Sequence, residues 1–147
     1  MIASGFRHLH RVTYAECTLG NHVYHSRYLD LLEAARGAFF RHLDQPFLKW
    51  QEQDRIFPII ECQLRYKSPA RYDDILTIEV RLQELKGIRL RFVYGVWNRD
   101  GREILTGSTL HVCTSIDEKP KRFPEELAAV LRPYIDTAID GGRPGIE

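Results

Sequence analysis

Residues 12–36 read VTYAECTLGNHVYHSRYLDLLEAAR, a polar glycine-containing loop that runs into an apolar helical repeat. From residue 24 or 25 to about residue 43, apolar side chains recur at Tyr28, Leu31, Leu32, Ala35, Phe39 and Leu43, the spacing of one helix face. Leu29, Ala34, Ala38 and Phe40 widen the stripe, so the helix is predicted to be buried on most sides. Glu33 and Arg36 lie three residues apart within its turns, on neighbouring ground. The helix start leaves backbone N–H groups without intrahelical partners, a place where developing negative charge is stabilised.

Working outward, residues 10–14 are partly alternating and β-branched, which predicts a strand before the loop at residues 16–21. Pro46 closes the helix, and residues 47–53 suit a short second one. Four strand-like segments follow at residues 56–66, 75–84, 89–98 and 103–116, separated by KSPARYDD, LKGI and NRDG. Asn98-Arg99-Asp100-Gly101 is a hairpin turn between two long strands. Pro120 and Pro124 lead to a terminal helix at residues 124–131, and GGRPGIE at the end reads as frayed. The order predicts an α+β domain spanning residues 1–147, a curved antiparallel sheet wrapped around one long central helix. Such a sheet has edges, so pairing with a second copy is expected.

Composition excludes several function classes. Apolar residues make up 44% and charged residues 28%, as in an ordinary globular domain, and the net charge of +1 offers no electrostatic grip on nucleic acid. Cys17, Cys62 and Cys113 are an odd, widely spaced set without a C-x-x-C pair, which argues against disulfides and against zinc. His22, His25 and Glu16 crowd on one loop, a poor geometry for a metal, and no metal is expected. The first residues carry no signal-like apolar core, and no membrane-length apolar run follows, so a cytoplasmic protein is expected.

The residues then speak for a family. Val12, Tyr14, Val23, Tyr24, His25, Tyr28, Leu29, Glu33, Ala35 and Arg36 match the run V-x-Y-x-D-T-D-x-x-G-x-V-Y-H-x-x-Y-L-x-x-x-E-x-A-R. That run resembles the hotdog-fold acyl-CoA thioesterases of the 4-hydroxybenzoyl-CoA thioesterase and YbgC-like type. NHVYHSRYLDLLEAAR also resembles the long-chain acyl-CoA branch, and RYKSPARYDDILTIEVRL, LKGIRLRF and EKPKRFPEEL are similar to later family segments in the same order. The resemblance covers about residues 6 to 130. It implies hydrolysis of an acyl-CoA or acyl-carrier-protein thioester by a homodimer or homotetramer, with coenzyme A as part of the substrate and no other cofactor.

One departure stands out. The family triplet D-T-D is here Glu16-Cys17-Thr18, so a neutral hydroxyl replaces the catalytic carboxylate of the best-studied branch. A branch that releases polyketide chains is similar at this point: it carries a neutral Asn there and relies on the helix arginine, the position of Arg36. The resemblance assigns the oxyanion donor to the backbone N–H of His25, with Asn21 and Tyr24 beside it on the substrate. Three candidates for activating water stay open. Glu33 lies eight residues past His25, about 12 Å along a helix, and would act across a subunit interface, or else pair with Arg36. Thr18 would orient water while Arg36 stabilises charge, or else cap a turn. Glu16 would supply the missing carboxylate from two residues away. Cys17 with a histidine base is a further nucleophile candidate, whereas Cys62 and Cys113 read as core.

Lys86, Arg89 and Arg91 open the fourth strand-like region where related enzymes contact the nucleotide. Alternation puts Arg89 and Arg91 on one face, and Lys67 and Arg71 beside Pro69 are further candidates. Two other classes compete with a hydrolase: an acyl-thioester binding protein that has lost its acid, and a dehydratase built on His25.

Overall fold

The computed structural model describes residues 5–136. Seven strands and three helices follow in order: β1 (Phe6–Arg11), β2 (Cys17–Thr18), β3 (His22–Val23), α1 (Arg27–His42), α2 (Phe47–Gln51), β4 (Ile59–Tyr66), β5 (Ile75–Lys86), β6 (Arg89–Trp97), β7 (Glu103–Val112) and α3 (Glu125–Leu131). Five of the strands form one antiparallel sheet in the order β1-β5-β6-β7-β4, and β2 pairs with β3 in a small hairpin.

Alternation sets the inner face. Leu76, Ile78, Val80 and Leu82 of β5 are fully buried, and Leu90, Phe92, Tyr94 and Val96 of β6 stand beside them through the strand register. α1 lays Tyr28, Leu31, Leu32, Ala35, Phe39 and Phe40 against this layer. Each large side chain removed from water in this way stabilises the fold by about 1.5–3 kcal/mol. The widened side of the stripe stays open, however, with Leu29 43% exposed and Glu33 and Ala34 exposed. Burial on most sides therefore does not hold within one copy.

The N-terminal strand lies earlier than residues 10–14. Phe6, His8 and His10 alternate inward against β5, while Arg7, Leu9 and Arg11 face out. Val12 anchors the end of the run, its N–H donating to the Asp74 carbonyl at 2.8 Å. Beyond it the chain turns, because the Glu16 carboxylate accepts the Thr13 N–H at 2.9 Å across a 3-10 turn at Tyr14–Glu16. α1 likewise begins at Arg27, not at residue 24 or 25, since the Tyr24 N–H is held by the Glu16 carbonyl at 2.9 Å. The strand expected from residue 56 starts at Ile59. Ile56 makes only an isolated bridge to Thr114, and Pro58 has no N–H to extend the ladder. β7 stops at Val112, four residues short of the expected end. The hairpin turn forms as read, with the Asn98 side-chain oxygen accepting the Asp100 and Arg102 N–H groups and Gly101 at φ +84. The expected frayed tail at residues 141–147 lies outside the described residues.

The two sheet edges differ. β1 presents Arg7 and Arg11 at its border. β4 is exposed along most of its length and leaves Ile59, Ile60 and Tyr66 open at 43%, 55% and 52%. An apolar open edge of that kind is unusual in a chain that works alone.

Candidate active site

The loop before α1 is stitched down by backbone. Val23 N–H donates to the Ala70 carbonyl at 2.9 Å, Arg71 donates to the Gly20 and Asn21 carbonyls at 3.3 Å, and Tyr72 N–H donates to the Asn21 side chain at 3.2 Å. Gly20 and Asn21 both take positive φ, which a glycine and an asparagine tolerate and which lets β2 turn back along β3. An open pocket of about 480 Å³ results, walled by Thr18, His22, Val23, Tyr24, His25, Tyr28, Tyr66, Lys67, Ser68 and Pro69.

His25 is exposed at the rim of this pocket. Its carbonyl accepts the Tyr66 hydroxyl at 3.1 Å, while its N–H has no hydrogen-bond partner among the described residues. Ser26, the residue before α1, offers no side-chain cap. A free N–H at the positive end of a 16-residue helix, fixed from behind by a tyrosine, is an oxyanion donor in the making. Thr18 is exposed on the same pocket, paired with His22 across the hairpin. Among the described residues, no carboxylate lines this pocket.

Glu16 points elsewhere. His10 Nε2 donates to it at 2.8 Å, alongside the Thr13 N–H. Burial pushes its carboxyl up, but these hydrogen bonds outweigh burial and hold its pKa below the ordinary value. Cys17 donates weakly to the Thr13 carbonyl at 3.6 Å, and burial together with the Glu16 and Asp74 charges raises its pKa, so the thiol form prevails.

Glu33 and Arg36 belong to a second cavity of about 340 Å³, which shares no lining residue with the first. They form no ion pair with each other; Glu33 is exposed and unpaired among the described residues, and Arg36 is only 8% exposed. The structure therefore separates His25 and Thr18 from Glu33 and Arg36 within one copy. Lys86, Arg89 and Arg91 come to neither cavity. Arg89 lies 3.9 Å from Glu84, and Arg91 contacts Glu61 at 3.2 Å. Lys67 instead walls the first pocket, and Arg71 grips the Gly20–Asn21 turn.

Sequence reasoning missed the polar chain behind the second cavity. Arg36 Nη1 donates to Tyr94 Oη at 3.0 Å, Tyr94 Oη meets Thr109 Oγ1 at 2.6 Å, Thr109 Oγ1 meets His111 Nε2 at 2.9 Å, and His111 Nδ1 meets the Phe57 carbonyl at 2.9 Å. The period-two pattern of β7 could have revealed it, because Thr109 and His111 fall on the inward face of a strand expected to be apolar.

Comparison with known proteins agrees with this architecture. Residues 12–131 match the thioesterase-like superfamily, and the chain belongs to that superfamily. The acyl-CoA thioesterase YbgC of Haemophilus influenzae is 32% identical over 136 residues, covering 89% of this chain and 97% of that protein. The acyl-CoA thioester hydrolase YbgC of Escherichia coli O157:H7 is 28% identical over 128 residues, covering 86% and 96%. A crystal structure of a Thermus thermophilus protein superposes with a TM-score of 0.82 at 32% identity, covering 90% of this chain and 99% of that one. Among the described residues, no helix is long and apolar enough to cross a membrane.

Proposed function

We propose that this chain is a hydrolase of acyl-CoA thioesters whose working site is assembled from two copies. The observation that carries the reading is the division of labour between the cavities. One has an unpartnered N–H at a helix start and no carboxylate; the other has an unpaired carboxylate on the exposed face of the same helix. The thioester carbonyl sits on the His25 N–H, with Thr18 and Tyr24 beside it and Lys67 towards the coenzyme A arm. Glu33 of a second copy takes a proton from water as it attacks. The tetrahedral oxyanion is held by His25 N–H, and collapse expels the thiolate, which is protonated as the thiol. The open β4 edge is the surface through which a homodimer forms, and a homotetramer would pair two such dimers. The hotdog arrangement, in which the sheet wraps α1, belongs to the same reading, as do the single domain over residues 1–147 and a cytoplasmic location. An acyl chain on a carrier protein would meet the same site.

Subunit complementation tests this. Glu33→Gln keeps the loop and loses the base, while His25→Pro keeps Glu33 and loses the N–H. Each folded variant alone should release thiol from acyl-CoA at least about a hundred-fold more slowly than the native protein. After unfolding and refolding together, half of the dimers are mixed and each holds one intact site, so about a quarter of native activity should return. No recovery in a mixture proven to contain mixed dimers would sink the cross-subunit role of Glu33. No thiol release by native protein from any acyl-CoA or acyl-carrier thioester would sink the enzyme reading.

A further inference from the structure

Arg36 is a buried cation without a counterion among the described residues. It makes one hydrogen bond among the described residues, to the neutral Tyr94 hydroxyl, and no carboxylate lies within ion-pair distance of it. Arg55 lines the same cavity; its Nη1 donates to the Gln53 carbonyl at 3.2 Å, and its Nε is buried with no partner. A buried guanidinium left without a counterion is costly, and Arg36, with half-buried Arg55 on the same cavity, calls for an anion. Gln51, which is neutral, and His111, whose protonated form is disfavoured by burial and by Arg36, also line the cavity, and neither supplies a negative charge.

Most of the rest of the lining is apolar. Phe40, Phe47, Phe57 and Phe92 form the walls, with Leu90 and Ile59 between them. Glu33 stands one helical turn before Arg36 and is exposed, so the negative charge lies at the mouth and the positive charge behind it. A volume of about 340 Å³ is at the small end for a ligand cavity and suits a short chain.

From these observations we infer that the cavity receives a short acyl group ending in a carboxylate, which Arg36 and Arg55 bind at the far end. The substrate class is thus the monothioester of a dicarboxylic acid. The inference rests on the thioesterase reading above. The aromatic walls take the carbon chain, and the guanidinium fork meets the carboxylate oxygens with charge-assisted hydrogen bonds. An acyl group of the same length with a methyl end would leave the buried Arg36 cation unpaired.

Two experiments separate this inference from the reading it rests on. First, kcat/KM is measured for adipoyl-CoA against hexanoyl-CoA and for suberoyl-CoA against octanoyl-CoA. The dicarboxylic member of each pair should be preferred by about ten- to a hundred-fold. Arg36→Met should bring that ratio to about one whatever it does to the common rate, and Arg55→Met should lower it in part. Equal kcat/KM within both pairs overturns the inference and leaves the enzyme reading intact. Second, native protein is titrated with free adipate and free hexanoate, which needs neither catalysis nor a folded variant. Adipate should bind at least about ten-fold more tightly. Equal binding assigns the neutralising charge to another part of the assembly and overturns the inference, even if no thioester is ever cleaved.

Discussion

The chain from Arg36 to Phe57 has a direction, and that direction makes stability depend on pH. A guanidinium only donates, so Tyr94 Oη accepts from Arg36 and must pass its own proton to Thr109. Thr109 then donates to His111 Nε2, and His111 Nδ1–H donates to the Phe57 carbonyl, which only accepts. Every bond is satisfied with a neutral imidazole. A protonated His111 would need to donate at both nitrogens, so Thr109 could no longer donate to it and a hydroxyl proton of the chain would lose its acceptor. Burial and the nearby Arg36 charge lower the His111 pKa from 6.5 to about 4, against the opposing pull of the Phe57 carbonyl. Because the folded pKa is depressed, the unfolded chain binds a proton first as pH falls. The native state is then fully stable above about pH 6.5 and loses about 2 kcal/mol by pH 5 and about 3 kcal/mol by pH 4 from this group. Urea denaturation at 25 °C and fixed salt, compared between native protein and His111→Gln, isolates the effect, since carboxylate titrations common to both cancel. The variant should be less stable at pH 7, and the gap should narrow by about 2 kcal/mol at pH 5. A gap that stays constant across that range would refute the directional chain.

Two further substitutions probe the fold and the loop. Gly107 lies in β7 opposite Leu64, and an added Cβ would meet the Gln63 carbonyl oxygen at 2.7 Å and Leu64 at 2.6 Å. Gly107→Ala should therefore cost about 1–3 kcal/mol in urea denaturation, and an unchanged midpoint would show that β4 yields freely. Tyr66→Phe removes the hydroxyl that holds the His25 carbonyl, on a side chain half open to solvent. It should lower kcat for acyl-CoA hydrolysis several-fold at a stability cost of about 1 kcal/mol or less, and an unchanged kcat would separate Tyr66 from the positioning of the donor.

Much of the fold was legible because burial writes its period into the chain. The long strands and α1 were found where apolar residues alternate by two or recur by three and four. Their ends were less legible, for reasons set outside each segment. The start of α1 depends on the Glu16 carbonyl holding Tyr24, and the end of β1 on Thr13 and Glu16 closing a turn. The site was half legible. Residues 18 and 25 do share a pocket, as their place on one loop suggests, and Glu33 with Arg36 do share a cavity. Their separation into two cavities was legible too, since eight residues of helix put Glu33 about 12 Å from His25. What the sequence did not show is that Glu33 and Arg36 ignore each other. Helical spacing brings side chains near, but Arg36 turns inward to Tyr94 while Glu33 faces out.

Three features that are separately unfavourable in one copy point the same way. β4 carries an open edge with exposed isoleucines, α1 leaves Leu29 and an unpaired carboxylate on its outer face, and the His25 pocket has a donor with no carboxylate among the described residues. An edge strand of this kind is paired or protected in working proteins, and an apolar helix face is covered. A second copy joined two-fold at β4 would remove the first deficit by continuing the sheet. The same symmetry requires that whatever one copy's helix face meets, its partner's meets in return, so each pocket can gain a Glu33 only if both do. That reciprocity is what makes complementation informative. A mixture restores one site per mixed dimer if the base crosses the interface, and none if each copy supplies its own.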